Sequence, residues 1–426
     1  MHRTTESINK KRFLKAAVLS ILPLSLSAAE VQDFTVSGEV RAGFVEYDYF
    51  TPLDSRAFAT ILKVGIETPK YNGFYGKIMG AAANDLGQSD LDVGKQRKSV
   101  IFRRKADGSY SNFEILQELY VGYESKEHSI KIGRNEFVSP MISKDDFYMF
   151  ANSFETVSYK NRSIPFTTLD VGYIHKMAGV WDSRSDGSNF RSMSDASMVP
   201  QINKDEASGG GVYYVGAEYK NGSHSAKLWE YYAKDLYNTV FASYDYGFKY
   251  ADTDFTLGGQ YIDFSEVGKL SKSSTVIGIN VYSASLDAKH KSGISGSFSA
   301  TKFGSGDGEQ YVLGAWGGYA YPTKGFIFHF HESNSFRDAI GYKYQLGYDF
   351  DGALKGLSAN TRYVDYRLNT GYSILNNKPQ DGMKLIGGQL KYVFLKNGYC
   401  SAVYEQGHLS GVAAFSGFRL IGGYKF

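Results

Sequence analysis

The chain has 426 residues, with 47 Lys/Arg against 44 Asp/Glu for a formal net charge of +3, and it is 42% hydrophobic and 21% charged. Tyr (34), Phe (29) and Gly (47) are in excess while Trp (3), Pro (8) and Cys (1) are scarce, a balance that favours strands and tight turns over helices. Those figures exclude a disulfide-stapled miniprotein and a disordered chain, and no run of about 18 apolar residues beyond the N-terminus supports a helical membrane protein.

Residues 1–29 read as a secretory signal peptide. Lys10, Lys11 and Arg12 precede an apolar stretch, Phe13–Leu26, broken only by Lys15, Ser20, Pro23 and Ser25, and Ser27-Ala28-Ala29 supplies small cleavage residues. The segment takes five Lys/Arg and one Glu with it. The domain 30–426 therefore carries 42 basic and 43 acidic residues, and its balance gives no reason to expect nucleic acid. Cys400 has no partner, so no internal disulfide is expected.

From residue 34 onward the chain alternates. In 34–44, Phe34, Val36, Val40, Ala42 and Phe44 lie opposite Thr35, Ser37, Glu39 and Arg41. In 58–67, Phe58, Leu62, Val64 and Ile66 oppose Lys63, Gly65 and Glu67; in 114–124, Ile115, Leu119, Val121 and Tyr123 oppose Glu114, Glu118, Gly122 and Glu124. In 383–394, Ile386, Leu390, Tyr392 and Phe394 oppose Gln389 and Lys391. In the last segment Phe418, Leu420, Gly422, Tyr424 and Phe426 share one face, and Arg419, Ile421, Gly423 and Lys425 the other. This dyad pattern suits a strand between lipid and a wet lumen. A soluble sandwich also alternates, but the signal peptide, the aromatic strand ends and the terminal Phe426 favour a barrel. Cys400 shares parity with Ala402 and Tyr404 and is expected to face lipid.

Connections alternate in length. Short turns are read at Pro69–Gly73, Lys126–His128, Asn161–Pro165, Asn221-Gly222, Ala251–Thr253, Asp287–Lys289, Gly352–Gly356 and Lys396–Gly398. Long ones are read at Asn84–Asn112, Phe137–Ser153, Met177–Gly209, Gly304–Arg337 and Arg367–Gly382. Short turns on the periplasmic side and long loops outside are the pattern of outer-membrane barrels. The expected fold is all-β, a transmembrane antiparallel up-and-down barrel of about 18 strands, between about 16 and 20. The count depends on whether Tyr311–Gly318 and Phe326–His331 span the membrane. About 16–18 strands leave an aqueous channel.

Several segments carry a family resemblance. Leu116-Gln117-Glu118-Leu119-Tyr120-Val121-Gly122-Tyr123 followed by Ile130-Lys131-Ile132-Gly133-Arg134, then Ser139-Pro140, Asp145-Asp146 and Asn152-Ser153-Phe154-Glu155, resemble a hairpin and third loop of OprD-type outer-membrane porins. Gly347-Tyr348-Asp349-Phe350, Gly356-Leu357, Thr361-Arg362-Tyr363 and the last strand fit as well. The form resembled is that of epsilon-class proteobacteria. The resemblance implies an 18-stranded barrel, monomer or homotrimer, that takes up small solutes, often carboxylates, past a constriction. It makes 137–153 the third loop, folded into the lumen, and 304–337 the seventh. Tyr148 and Ala151 stand where the family usually has an Arg and a Pro.

Alternation places Arg41, Lys63, Arg362, Lys391 and Arg419 on the lumen face of the first two and last three strands, which adjoin once the barrel closes. They form a candidate basic ladder, against the plainer reading that lumen positions simply take polar residues. Asp145, Asp146 and Glu155 are candidates for an opposing acidic side of the eyelet, or else a solvated loop or internal ion pair. Arg134 is a candidate support for that loop, or a rim residue. Asp182, Asp186 and Asn189 do not match a calcium loop, His329 and His331 lack further ligands, and no metal or cofactor is expected. Expected partners are outer-membrane lipid, small solutes, and barrel-assembly machinery acting through the strand ending at Phe426. The expected function is a passive diffusion channel rather than an enzyme; a barrel enzyme or a surface structural protein is the alternative. No Gly-x-Ser-x-Gly nucleophile motif stands in a suitable context.

Overall fold

In the computed structural model the alternating segments become strands of 8 to 14 residues. The structure describes residues 34–48, 55–86, 112–145, 149–179, 189–196, 210–272, 278–304, 316–318, 320–328, 338–368, 382–394, 396–410 and 414–426. The first strands are β1 (Thr35–Asp48), β2 (Ser55–Glu67), β3 (Phe74–Asn84), β4 (Phe113–Glu124), β5 (His128–Asn135), β6 (Ser153–Asn161) and β7 (Thr167–Ala178). A two-residue strand β8 (Arg191–Ser192) and a single helical turn, α1 (Met193–Ala196), interrupt the next loop. Then come β9 (Val212–Asn221), β10 (His224–Ala233), β11 (Tyr237–Tyr250), β12 (Thr253–Glu266), β13 (Ile279–His290) and β14 (Ile294–Phe303). The series ends with β15 (Ile340–Asp349), β16 (Leu357–Arg367), β17 (Gly382–Phe394), β18 (Gly398–Leu409) and β19 (Ala414–Lys425).

Each long strand pairs antiparallel with the next, β7 pairs directly with β9, and β1 pairs with both β2 and β19. Glu39 is opposite Lys63 on one side and Lys425 on the other. With β8 too short to span, the wall is a closed barrel of 18 strands. Closure leaves no unpaired edge, which lipid would not tolerate.

Parity sorts the side chains. Val121 and Leu346, each 64% exposed, and Leu228 and Ile386, each 57% exposed, face outward. Their inward neighbours on β15 are Gly341, Lys343 and Gln345. The Gly and aromatic excess also finds its use here. Gly122, Gly216, Gly341, Gly407 and Gly423 stand directly across from Tyr75, Trp229, Tyr366, Phe415 and Tyr399, whose rings occupy the space a Cβ would need. An aromatic laid over a cross-strand glycine packs the wall where the glycine has nothing to contribute.

The apolar core lies inside the barrel toward the long-loop end. Phe137, Ile142, Met149 and Phe150 of the third loop pack there against Phe113, Phe154 and Tyr214.

Three expectations are corrected. Ile115 does not share a face with Leu119: the register of β4 slips where Met79 pairs with Glu118 and Gly80 with Leu116, so Ile115 is buried inside while Leu119 is outside. Asp287–Lys289 is not a turn, because these residues pair with β12 and the chain reverses at 291–293. The described parts of Tyr311–Gly318 and Phe326–His331 are loop within the lumen, not spanning strand. Residues 1–29, Asp182, Asp186, His329 and His331 lie outside the described residues.

The seam supplies a test. Gly38 and Phe426 exchange backbone hydrogen bonds of 2.8 and 3.0 Å, and the Phe426 ring lies where a Gly38 Cβ would be. Gly38→Val should destabilise the folded barrel by about 1–3 kcal/mol, the usual overpacking cost. The folded form should convert to the unfolded form at a lower temperature on a denaturing gel. Gly80→Val, where nothing lies within 4 Å, should leave that temperature unchanged.

Candidate functional site

Two loops enter the lumen, and each is fastened through its backbone. In the third loop, between β5 and β6, Arg41 Nη1 donates to the Met149 carbonyl at 3.1 Å and Gln117 Nε2 to the Ala151 carbonyl at 3.2 Å. Met149 has φ +73°, a left-handed conformation that a side chain disfavours. Arg41 donates to the carbonyl of that residue. Lys63 Nζ stands 3.8 Å from Glu136, which also takes Lys144 Nζ at 2.8 Å. Arg41 in turn is held by Glu39 at 3.1 Å, and Glu39 accepts the Tyr399 hydroxyl at 2.9 Å.

The seventh loop, between β14 and β15, is fastened from β16 and β18. Arg362 Nη1 donates to the carbonyls of Lys324 (3.1 Å) and Gly325 (2.7 Å), and its Nε and Nη2 reach Gln345 Oε1 at 3.0 and 2.9 Å. The Glu405 carboxylate accepts the backbone N–H groups of Phe326, Ile327 and Phe328, each at 2.8 Å. The Tyr366 hydroxyl donates to the Thr323 carbonyl at 2.6 Å. The loops meet where Ser143 N donates to the Trp316 carbonyl at 3.1 Å, and Trp316 Nε1 donates to the Met193 carbonyl of α1 at 2.9 Å. Below them a cavity of about 660 Å³ opens between Ser139 and Pro140, Pro322, and a polar wall that includes Lys227, Ser243, Asp245, Gln260 and Ser285.

All five residues expected on the basic ladder have lumen parity. They differ in what they touch. Arg41, Lys63 and Arg362 are engaged with the two loops. Arg419, between Val45 and Val403 in register, is half-buried, and Lys391, between Ser358 and Ser401, is exposed. Lys343 on β15 and Lys77 on β3 extend the same side and were not anticipated, Lys77 being ion-paired with Glu118 at 2.9 Å. Lys343 alternates with Tyr342, Tyr344 and Leu346, so the same parity rule was able to find it.

The expected acidic side is dispersed. Glu155 pairs with Arg134 at 2.9 Å on the parity of the outward residues Ile132 and Val157, and Arg134 lies over the Phe190 ring at 4.2 Å. Outward orientation removes Glu155 from the eyelet and makes Arg134 its partner on the outer wall. Asp145 stays half-buried where the third loop meets Gly317 of the seventh. Asp146 and Tyr148 lie outside the described residues. Among the described residues no cluster of three metal-ligating side chains exists.

Lys324, in the seventh loop, was also missed. Burial within the barrel pushes its ammonium down to about 8, against the pull of Asp145 and with the help of Arg362 and Lys343.

A closed 18-strand barrel whose lumen is narrowed by two inward loops defines a diffusion channel of the porin class. A family model described as outer membrane porin, OprD family, matches residues 79–394, and the chain belongs to that family. This places it in the outer membrane. Solved structures share the fold at low identity. They include OpdK of Pseudomonas aeruginosa with vanillate (16% identical, TM-score 0.76, covering 93% of this chain and 99% of that one). OccK9 (OpdG) of the same organism is 16% identical with a TM-score of 0.76 over 94% and 100% of the chains. OccAB3 of Acinetobacter baumannii is 15% identical with a TM-score of 0.76 over 93% and 100%. No curated protein sequence matches the chain.

The shifted lysine gives a pH dependence. A lowered pKa means that the charge is present below about 8 and lost above it, whereas ordinary lysines stay charged to about 10.4. Anion preference, read as reversal potential in a salt gradient, should therefore fall as pH rises through that value. Lys324→Arg, whose guanidinium stays charged, should make the fall smaller.

Proposed function

We propose that the chain is a passive diffusion channel for small hydrophilic solutes and ions that prefers carboxylate-bearing molecules. The observation that carries this reading is the run of cations on one side of the lumen, Lys343, Lys391 and Arg419 on late strands, beside Arg362, Arg41 and Lys63, which fasten the loops. A low-dielectric wall focuses such a field on a passing anion. The cavity beneath the loops offers hydroxyl and amide groups for the rest of the solute. Vanillate, the molecule in the structure of the similar channel OpdK, bears a carboxylate. Transport of this kind breaks no bond, so the reading asks for no nucleophile and no cofactor. The same reading takes the chain as the epsilon-class form of the family, a monomer or homotrimer inserted by barrel-assembly machinery acting on β19.

Single-channel current from the purified mature protein in a planar bilayer tests it. Stepwise conductance with an anion-selective reversal potential is expected. A unit charge acts on an ion 4 Å away with about 1 kcal/mol in water, so the combined change Lys343→Gln, Lys391→Gln, Arg419→Gln should lower the anion-to-cation ratio several-fold. A folded barrel without conductance would sink the channel reading, and cation selectivity would sink the carboxylate preference.

A further inference from the structure

Five backbone carbonyl and N–H groups of the seventh loop are held by two side chains of opposite charge. Glu405 is 0% exposed, and both of its carboxylate oxygens are spent on the consecutive N–H groups of 326–328. Arg362 takes the carbonyls of 324 and 325 and lies over the Phe326 ring at 4.0 Å. Arg362, Gly387 and Glu405 lie in one register row, on three adjacent strands. A Cβ on Gly387 would come to 3.1 Å from Cβ and Cγ of Glu405, so the bare middle position leaves room for the acid between the strands. The loop fits in the same manner: a Cβ on Gly325 would stand 2.6 Å from both Glu405 oxygens. Peptide groups inside a lumen need partners, and charged partners give the stronger hydrogen bonds. Both charges are then committed. Glu405 is screened by three amides and by Arg362, and Arg362 has its donors on two carbonyls and Gln345.

We propose that Arg362 and Glu405 form a clamp that reads the backbone of 324–328 and holds the seventh loop across the channel, so that both are positioning residues that set the aperture rather than ligands of the solute. The proposal rests on the channel reading for its consequence, not for its geometry. It makes Arg362 different in kind from Lys343 and Lys391 on the same side of the lumen. It also gives a buried acid, Glu405, a role on a wall that otherwise favours anions.

The two roles part because the substitutions change charge in opposite senses. Glu405→Gln removes a negative charge, Arg362→Gln removes a positive one, and Gly325→Ala changes none while filling the cradle. A clamp predicts one phenotype for all three: step conductance rises, brief closures appear, and the folded barrel keeps its heat-modifiable mobility. A field effect predicts opposite shifts of reversal potential in the first two, unchanged step conductance and a silent third. That result would overturn the clamp. A second readout does not depend on current. Trypsin added to the folded, detergent-solubilised barrel should spare the 324–325 bond in the wild type and cut it in each of the three variants. If either charge variant fails to fold, Gly325→Ala decides the matter alone. Cutting at 324 in the variants but not the wild type, in a barrel that never conducts, would uphold the clamp and sink the channel. A conducting wild type whose three variants keep both its conductance and its protease resistance would sink the clamp and leave the channel.

Discussion

The pairing of β1 with β19 is the constraint on which everything else depends. In hydrocarbon an unpaired N–H or C=O has no water to turn to, so a spanning sheet must close or not form. Closure puts a low-dielectric exterior on one face of every strand and a wet interior on the other. The dyad repeat follows from that, and so does the inversion in which Leu346 and Val121 are bare while Glu39 and Lys63 are buried. It also explains the unusual composition. A wall one strand thick has no second layer to pack against, and aromatic rings laid over cross-strand glycines supply packing within the sheet itself.

Closure then creates a second demand. Loops that fold into the lumen carry their peptide groups away from bulk water, and a buried loop keeps those groups only if the wall offers partners. Arg41 and Gln117 do this for the third loop, and Arg362, Tyr366 and Glu405 for the seventh. Side chains of both signs are therefore embedded in a wall whose inner charges also face the solute path. The same residue class serves two ends, field and fastening, and only the partner of each head group tells them apart.

That division marks how much was legible beforehand. Parity assigned Arg41, Lys63, Arg362, Lys391 and Arg419 to the lumen, because the side-chain period of a strand is two and needs no knowledge of neighbours. It failed where the backbone breaks the period. The slip opposite Met79 turned Ile115 inward, and a bulge leaves no mark that composition can show. Glu155 was placed beside the third loop without regard to parity, and it is the third residue of a strand, on its outer face. Asp287–Lys289 resembled a turn by its polar residues, and its pairing with β12 overrode that local preference. Lys343 was within reach of the parity rule; Lys324 and Glu405 were not, since their importance lies in contacts made across about 80 residues or more of chain or between loops.

The amino-acid sequence by itself determined the class of the molecule. A repeated two-residue period, short and long connections in turn, and aromatic strand ends suffice for a membrane barrel, because the bilayer imposes that pattern on each strand separately. The tertiary structure alone decided which of the inward charges are committed to holding loops and which remain on the solute path. That choice depends on where a loop's carbonyls and amides come to rest against the wall, and those positions are set by register and closure rather than by any single segment.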